Sequence, residues 1–537
     1  MFKAKIIIIL LLILAAFLRI YNLANNPPAA YGDETSFAWN AWNILKTGTD
    51  EYGTPIPLQF RAFDDYKAPI PVYLLVPVIK FLGLNTFAIR LPVAIVSVFT
   101  ILIMFLLVKE LLGEKIGLIA AFLLTISPWH MHLSRGYFES TLALFFLILG
   151  IYFFILSKKR AIYLFLACMS FALTLYTYFT PRIMLIIFIP FLLFWGRIWL
   201  SQIKKKVLFC LICLFIILIP LIYASFFEKG LSRINKLTTL RSEQITRSVN
   251  QDIFPYLYEK NIYIHKVFHN KYFYWIKEIS TSYLEHFSIN FWYLTGDNSL
   301  RYFLGNMGMF YLLELPFLIL GIYFLFRNFR HVFYLLLGWL LIAPIPASIS
   351  GRPFAVRSLS MLPAGLTFSA AGIYFFLKLV KQITNLKILL AFLFMCSFVY
   401  YFVRYHVEYP VYAATWWGWE NKAAIDLATK EADNYDQIFI SSFYSGTDLA
   451  FGFYNAVDPS EYRKIKSNPI ILADNRKFFK FGKFYIGSFD INDNNRLNSG
   501  IIPSRSLYIA RPEEIPSAEV IRAPDDGRIL FYVYRTN

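Results

Sequence analysis

Runs of about 18–20 nearly uncharged residues recur eleven times between residues 6 and 404, and no soluble fold can bury so many of them. A helix of about 20 apolar residues crosses a ~30 Å hydrocarbon core. On that criterion spans are predicted near 6–23, 91–108, 116–133, 140–157, 161–178, 183–200, 207–225, 309–326, 332–349, 358–378 and 386–404. Composition agrees, with 58% hydrophobic and 16% charged residues against about 45–50% and 25% in soluble domains. The expectation is a polytopic α-helical membrane protein of about eleven spans. The first run follows Lys3 and Lys5 and ends in Arg19-Ile20-Tyr21 without a small-residue cleavage site, so it reads as a retained anchor.

The net charge of +18 would suggest nucleic acid in a soluble protein; here it orients the spans and meets anionic lipid, and no nucleic-acid partner is expected. Lys3/Lys5, Lys109/Lys115, Lys158-Lys159-Arg160, Arg197/Lys204-Lys205-Lys206, Arg327/Arg330 and Lys378/Lys381/Lys387 fall at every second span boundary. By the positive-inside rule that side is cytoplasmic, together with the N-terminus. Counting residues 69–84 as a span would reverse this parity, so the stretch, interrupted by Pro69, Pro71 and Pro77, is expected to lie at the outer membrane surface. Outer segments are then 24–90, 226–308 and 405–537. The chain divides into a transmembrane domain, 1–404, and an extracytoplasmic domain, 405–537, whose helical pattern at 421–432 and short β-like runs predict a small α/β fold. A multi-pass plasma-membrane protein is the expected setting. The four cysteines all lie in apolar runs and read as packing residues, Cys210-x-x-Cys213 included.

Chemistry is concentrated at the outer ends. Asp33 and Glu34 stand side by side before a helical pattern, where Asp33 would cap the helix and Glu34 would sit in its positive first turn. A carboxylate fixed there can also serve as a general base. Isolated cations occur on the same side: Lys67, Arg90, Arg135, Arg182 and Arg357. Arginine near hydrocarbon is costly, so each alone is an anchor, but five converging from separate loops suit an anion such as phosphate. The combination suggests that a sugar is displaced onto an acceptor hydroxyl while cations stabilise a departing lipid phosphate.

The order of these residues resembles the GT-C superfamily of membrane glycosyltransferases, and in particular the protein O-mannosyltransferase and bacterial aminoarabinose (lipid A) transferase families. The resemblance rests on an Asp-Glu pair soon after the first span and on a basic-Pro-Pro-like element at Lys67-Ala-Pro69-Ile-Pro71. It continues with Arg90-Leu-Pro92 and then an Arg-x-x-x-acid motif at Arg135 and Glu139. It covers residues 1–200 well and the later spans loosely. It implies a polyprenyl-phosphate sugar donor, transfer with inversion, Asp33 as the catalytic acid residue with Glu34 beside it, and Lys67, Arg90 and Arg135 toward the donor phosphate. Glu139 would be a second acid. The prolines after Lys67 are not contiguous, Glu139 stands where Asp is commoner, and the central outer loop is too short for a β-trefoil, which favours the bacterial branch. The acceptor is left open as protein, lipid or glycan.

Other readings have their own signals. His130 and His132 beside Arg135 could join Asp33 and Glu139 around a divalent cation, the one cofactor the residues suggest. Trp416-Trp417-Gly418-Trp419-Glu420 resembles the Trp-Trp-Asp motif of oligosaccharyltransferases with Gly in the Asp position, and otherwise reads as an interfacial aromatic belt. Gly296-Asp297-Asn298 with Arg301 reads as a turn or as part of an acceptor mouth. A transporter or flippase would place ionisable residues at mid-membrane, and the predicted span interiors carry almost none.

Overall fold

The computed structural model describes residues 2–63, 65–227, 242–256, 266–471, 476–489, 502–512, 514, 517 and 519–536. Parts of the predicted central outer segment, at 228–241 and 257–265, lie outside the described residues. Helix occupies most of each of the eleven apolar stretches, although that at 309–326 becomes helical only at Glu314. The first nine helices are α1 Phe2–Ile20, α2 Gly32–Thr47, α3 Pro69–Leu82, α4 Thr86–Leu112, α5 Glu114–Ile126, α6 Pro128–Leu133, α7 Glu139–Leu156, α8 Ile162–Thr177 and α9 Thr180–Trp195. Later apolar helices include Lys204–Phe227, Glu314–Asn328, Arg330–Ile342, Leu362–Leu379 and Thr384–Val403. Among the described residues, six helical segments are long and apolar enough to cross a membrane.

Local chemistry sets the helix ends. Asn85 caps α4, its Oδ1 accepting from the Ala88 N–H at 2.9 Å. The stretch expected as one span at 116–133 is two helices, because a residue before proline is pushed out of the α region. Ser127 takes that place, and its hydroxyl accepts from the His130 N–H at 3.3 Å to start α6. The stretch at 332–349 is likewise interrupted at Ala343-Pro344. The closest helix crossing joins Glu314–Asn328 to Leu362–Leu379. A Cβ on Gly321 would lie 1.8 Å from the Phe368 carbonyl oxygen, and one on Gly372 1.8 Å from that of Phe317. Only glycine permits that approach.

The C-terminal part is a mixed sheet flanked by helices Trp419–Lys430, Thr447–Tyr454 and Pro459–Ser467. Its strands are β3 Gln437–Ile440, β4 Ile470–Ile471, β5 Lys477–Phe481, β6 Phe484–Ile486, β7 Ser506–Ala510, β8 Glu519–Arg522 and β9 Ile529–Arg535, in the order β4-β5-β6-β3-β7-β9-β8. Central β3 pairs in parallel with β6 and β7, and the outer pairings are antiparallel. Ile438, Ile440, Leu507, Ile509 and Phe531 form its core.

The two parts interlock. Trp39 of α2 is fully buried in the core of the C-terminal sheet, with its ring centroid 4.7 Å from that of Tyr462. Trp42 Nε1 donates to the Val457 carbonyl at 3.0 Å, and the Ala30 N–H donates to the Tyr454 hydroxyl at 3.1 Å. In return Tyr405, Tyr409 and Trp417 pack into the core of the helical body.

Candidate active site

The helix carrying the adjacent acids begins at Gly32. Tyr31 occupies the cap position with extended backbone and makes no side-chain cap, so Asp33 is not the cap that the sequence suggests. Both acids lie in the first turn, near unpaired N–H groups and the positive end of the helix dipole. Neighbouring helical residues point about 100° apart, and here they point to different environments. The Glu34 side chain is wholly buried, while that of Asp33 is 43% exposed.

Glu34 is held in a two-pronged ion pair. Arg90 Nε donates to Oε1 at 3.0 Å and Nη2 to Oε2 at 2.9 Å, and the Tyr137 N–H donates to Oε1 at 2.7 Å. The remaining Arg90 donors go to carbonyls of the segment before α2: Leu23 at 3.1 Å, Pro27 at 2.8 Å and Ala29 at 2.5 Å. Arg135 is used similarly, donating to the carbonyls of Leu18, Tyr21 and Asn26 and, through Nε, to the Tyr405 hydroxyl at 3.3 Å. Both arginines are fully buried. The expectation that Arg90 and Arg135 bind phosphate is therefore corrected, because their hydrogen-bonding forks are filled by the chain itself. They clasp residues 18–29 and thereby fix the start of α2. Glu34, expected to assist Asp33, is thus held by Arg90 and the Tyr137 N–H.

Asp33 meets Lys67. A short hairpin of β1 (Phe60–Ala62) and β2 (Asp65–Lys67) delivers the lysine, and its Nζ lies 2.6 Å from Asp33 Oδ1 and 4.2 Å from the centre of the Phe37 ring. A cavity of about 420 Å³ opens in front of Asp33. Asp65, Glu139 and Arg357 also line it, with Tyr31, Tyr178 and Tyr302 among the aromatic walls and Ile183, Ile349 and Val356 on its apolar side. A narrower cleft sharing Tyr178, Val356 and Arg357 continues between Leu144 and Leu147 of α7 and Met184 of α9. Burial, and next the Asp33 carboxylate, hold the Tyr31 and Tyr302 hydroxyls above the usual phenol range, so both remain hydrogen-bond donors.

Arg357 is set by Asp297. One Asp297 oxygen accepts from the Ser299 N–H at 2.8 Å, and the other accepts from the Ala355 N–H at 2.6 Å, where the short helix bearing Arg357 begins. Burial raises the Asp297 carboxyl to about 6. The turn reading of 296–298 thus gains a second role, placing a cation. Arg182 does not line the cavity: it is half-buried, its Nε donates to the Leu175 carbonyl at 3.1 Å, and its neighbours Phe179 and Ile183 form the wall instead.

The histidine pair does not join the acids. His130 Nδ1 lies 2.9 Å from the Arg19 guanidinium, and His132 Nε2 lies 3.1 Å from the Arg301 carbonyl, both fully buried. Among the described residues no group of three His, Cys, Asp or Glu side chains is arranged to hold a metal ion. Trp417 is not part of an interfacial belt. It is fully buried, its Nε1 donates to the Tyr409 hydroxyl at 2.6 Å, and it packs edge-on against Tyr31.

Sequence reasoning missed Asp65, Tyr31 and Tyr302. Asp65 had a legible signal, since it stands two residues before Lys67 and therefore on the same face of an extended strand. Arg301, read from sequence as part of a turn or of an acceptor mouth, has its guanidinium 4.9 Å from the centre of the Tyr31 ring, and its Nε donates to the Trp416 carbonyl at 2.9 Å.

A family profile described as dolichyl-phosphate-mannose-protein mannosyltransferase matches residues 66–223. No curated protein matches the chain significantly. Among solved structures, ArnT from Cupriavidus metallidurans in the apo state superposes with a TM-score of 0.51 at 13% identity, covering 84% of each chain. ArnT bound to undecaprenyl phosphate gives 0.51 at 12% identity, over 83% of this chain and 84% of that one. The archaeal oligosaccharyltransferase AglB from Archaeoglobus fulgidus, in complex with an inhibitory peptide and a dolichol-phosphate, gives 0.49 at 13% identity over 84% of this chain. The present chain spans 63% of the AglB length.

Proposed function

We propose that this chain, which resembles the GT-C membrane glycosyltransferases in family profile and fold, transfers a sugar from a polyprenyl-phosphate donor to an acceptor hydroxyl, with inversion, at the outer face of the membrane. The reading places about eleven helices across the bilayer, the N-terminus in the cytoplasm, α3 at the outer surface, and residues 405–537 outside. One observation carries it. Of two adjacent acids, one is sealed into a structural ion pair, and the other is presented to a cavity that also holds a cation and has an apolar side.

Asp33 takes the proton of the acceptor hydroxyl. The acceptor oxygen attacks the anomeric carbon, the bond from that carbon to the phosphate oxygen breaks, and polyprenyl phosphate leaves. A base of this kind is worth roughly 10²–10⁴-fold in rate. Lys67 and Arg357 face the charge that grows on the leaving phosphate, with Arg182 behind the wall as a secondary cation. Undecaprenyl phosphate bound to ArnT and dolichol-phosphate bound to AglB indicate the class of donor to test.

The decisive comparison is Asp33→Asn against wild type in purified, folded protein offered a labelled polyprenyl-phosphate sugar. Transfer is expected to fall by about 10²–10⁴-fold, with the donor still bound. Near-normal turnover by the variant would remove Asp33 as the base. A labelled donor that is moved across vesicles but never cleaved would mark a carrier instead.

A further inference from the structure

A second cavity, of about 510 Å³, lies where the segment after α2 meets the helices of the C-terminal domain. That volume is in the range of ligand sites, about 300–1,000 Å³. It borders the β1–β2 hairpin through Phe63. Asp65 faces the first cavity, and Phe63, two residues earlier, lines the second. The Phe63 ring is wedged between two glycines, 3.5 Å from where a Cβ on Gly32 would stand and 3.6 Å from one on Gly446. Ser36, one helical turn beyond Asp33, also lines the second cavity. The two chambers are thus neighbours on either side of one aromatic side chain.

The lining of the second chamber selects among ligand classes. Both of its cations are already engaged, Lys466 by Asp448 and Arg463 by Thr49 and Asp50, so neither is left over for a phosphorylated group. Four charged side chains rule out a lipid tail, and no strand edge lines the chamber to pair with an extended peptide. What remains is a combination of exposed aromatic surface and fixed polar groups. The Arg61 guanidinium covers one face of the Tyr52 ring, 4.9 Å from its centre, and Tyr52 is still 54% exposed and Phe63 50%. Asp448 accepts from the Tyr462 hydroxyl at 2.9 Å and from Lys466 at 2.5 Å, and Arg463 is anchored on Thr49 Oγ1 at 2.7 Å and the Asp50 carbonyl at 3.1 Å. A pyranose presents an apolar C–H face, which suits an aromatic ring, and an edge of hydroxyls, which suits carboxylates and guanidinium.

We infer that the second chamber binds a neutral saccharide chain, the acceptor glycan, and delivers its terminal hydroxyl past Phe63 to Asp33. The inference rests on the transferase reading above and narrows its acceptor to a glycan. Purified full-length protein in nanodiscs would be offered labelled hexasaccharides of glucose, mannose and galactose, with a Ser/Thr-containing peptide as comparison, and binding read by saturation-transfer NMR. At least one hexasaccharide is expected to bind. Tyr52→Ala and Lys466→Ala should each weaken it by about tenfold or more at unchanged melting temperature, and Asp33→Asn should bind it as wild type does. The inference is overturned if no hexasaccharide binds, if binding ignores both substitutions, or if donor sugar goes to the peptide while hexasaccharides neither bind nor accept it. Saccharide binding that depends on Tyr52, with no donor sugar ever cleaved, would leave the chamber's ligand standing and remove the transferase reading instead.

Discussion

Replacing Arg90 by Gln tests whether this arginine is a structural clasp or a donor ligand. The guanidinium gives two hydrogen bonds to Glu34 and three to the carbonyls of Leu23, Pro27 and Ala29. Both partners of the ion pair have wholly buried side chains, so the substitution leaves a carboxylate in the interior with one N–H partner, that of Tyr137. Removing one member of a buried pair costs about 3–5 kcal/mol. At roughly 2 °C per kcal/mol for a larger chain, the melting temperature should drop by about 6–10 °C. Glu34→Gln should cost a similar amount, because it leaves the guanidinium unbalanced. The double variant carries neither charge and should be no worse than the poorer single variant, giving a coupling energy of at least about 3 kcal/mol. Thermal unfolding by tryptophan fluorescence in detergent measures all four proteins, and donor titration accompanies it. Additive losses across the cycle would refute the pairing. So would an Arg90→Gln protein of normal stability whose only defect is weaker donor binding.

At the donor side, Lys67→Met should lower turnover and weaken donor binding together, since Lys67 holds Asp33 at 2.6 Å and brings a positive charge into contact with it. Donor titration with single-turnover kinetics checks this, and unchanged values would take Lys67 out of the site. Gly321→Ala forces a methyl toward the Phe368 carbonyl, and overpacking of this kind costs about 1–3 kcal/mol or more. Gly372→Ala strains the same seam, so a thermal-unfolding comparison should find the pair non-additive. Burial raises the Glu51 carboxyl to about 7, helped by Asp50 and Asp448 and opposed by the Asn40 hydrogen bond and Lys67. The folded protein therefore keeps a proton that the unfolded chain loses above about 4.5. This contribution to stability is complete below that pH and disappears as pH rises through 7. Melting temperature should fall between pH 5 and 8, and Glu51→Gln should flatten that fall.

The helical body was legible because lipid-length apolar runs leave the backbone few alternatives. Where the runs were read too long, proline was the reason: Ser127-Pro128 and Ala343-Pro344 interrupt helices that hydropathy alone joins. Asp33 and Lys67 stood out as charges beside apolar runs, and they do meet. Arg90 and Arg135 stood out for the same reason, yet they point inward. Sequence shows that a cation is present, but it does not show how many backbone carbonyls are left unpaired by an irregular segment such as 21–31, and those carbonyls claim both guanidinium groups. Asp65, Tyr31 and Tyr302 could be assigned to a cavity only once the hairpin and the loop before Arg357 were folded against α2. Long-range placement of this kind leaves no local pattern.

The burial of Trp39 under the C-terminal sheet also sets an order in time. Ala30 and its partner Tyr454 are 424 residues apart in the chain. At a synthesis rate of about 5–20 residues per second, the segment bearing Asp33 waits roughly 20–80 s before the residues that brace it exist. During that interval α2 lacks the C-terminal residues that bury Trp39. On the proposed reading, a nascent chain would then be a helical bundle without its acceptor-side brace. Anything that stalls or clips the chain before the helix at Thr447–Tyr454 should leave an intact helical bundle that is catalytically silent.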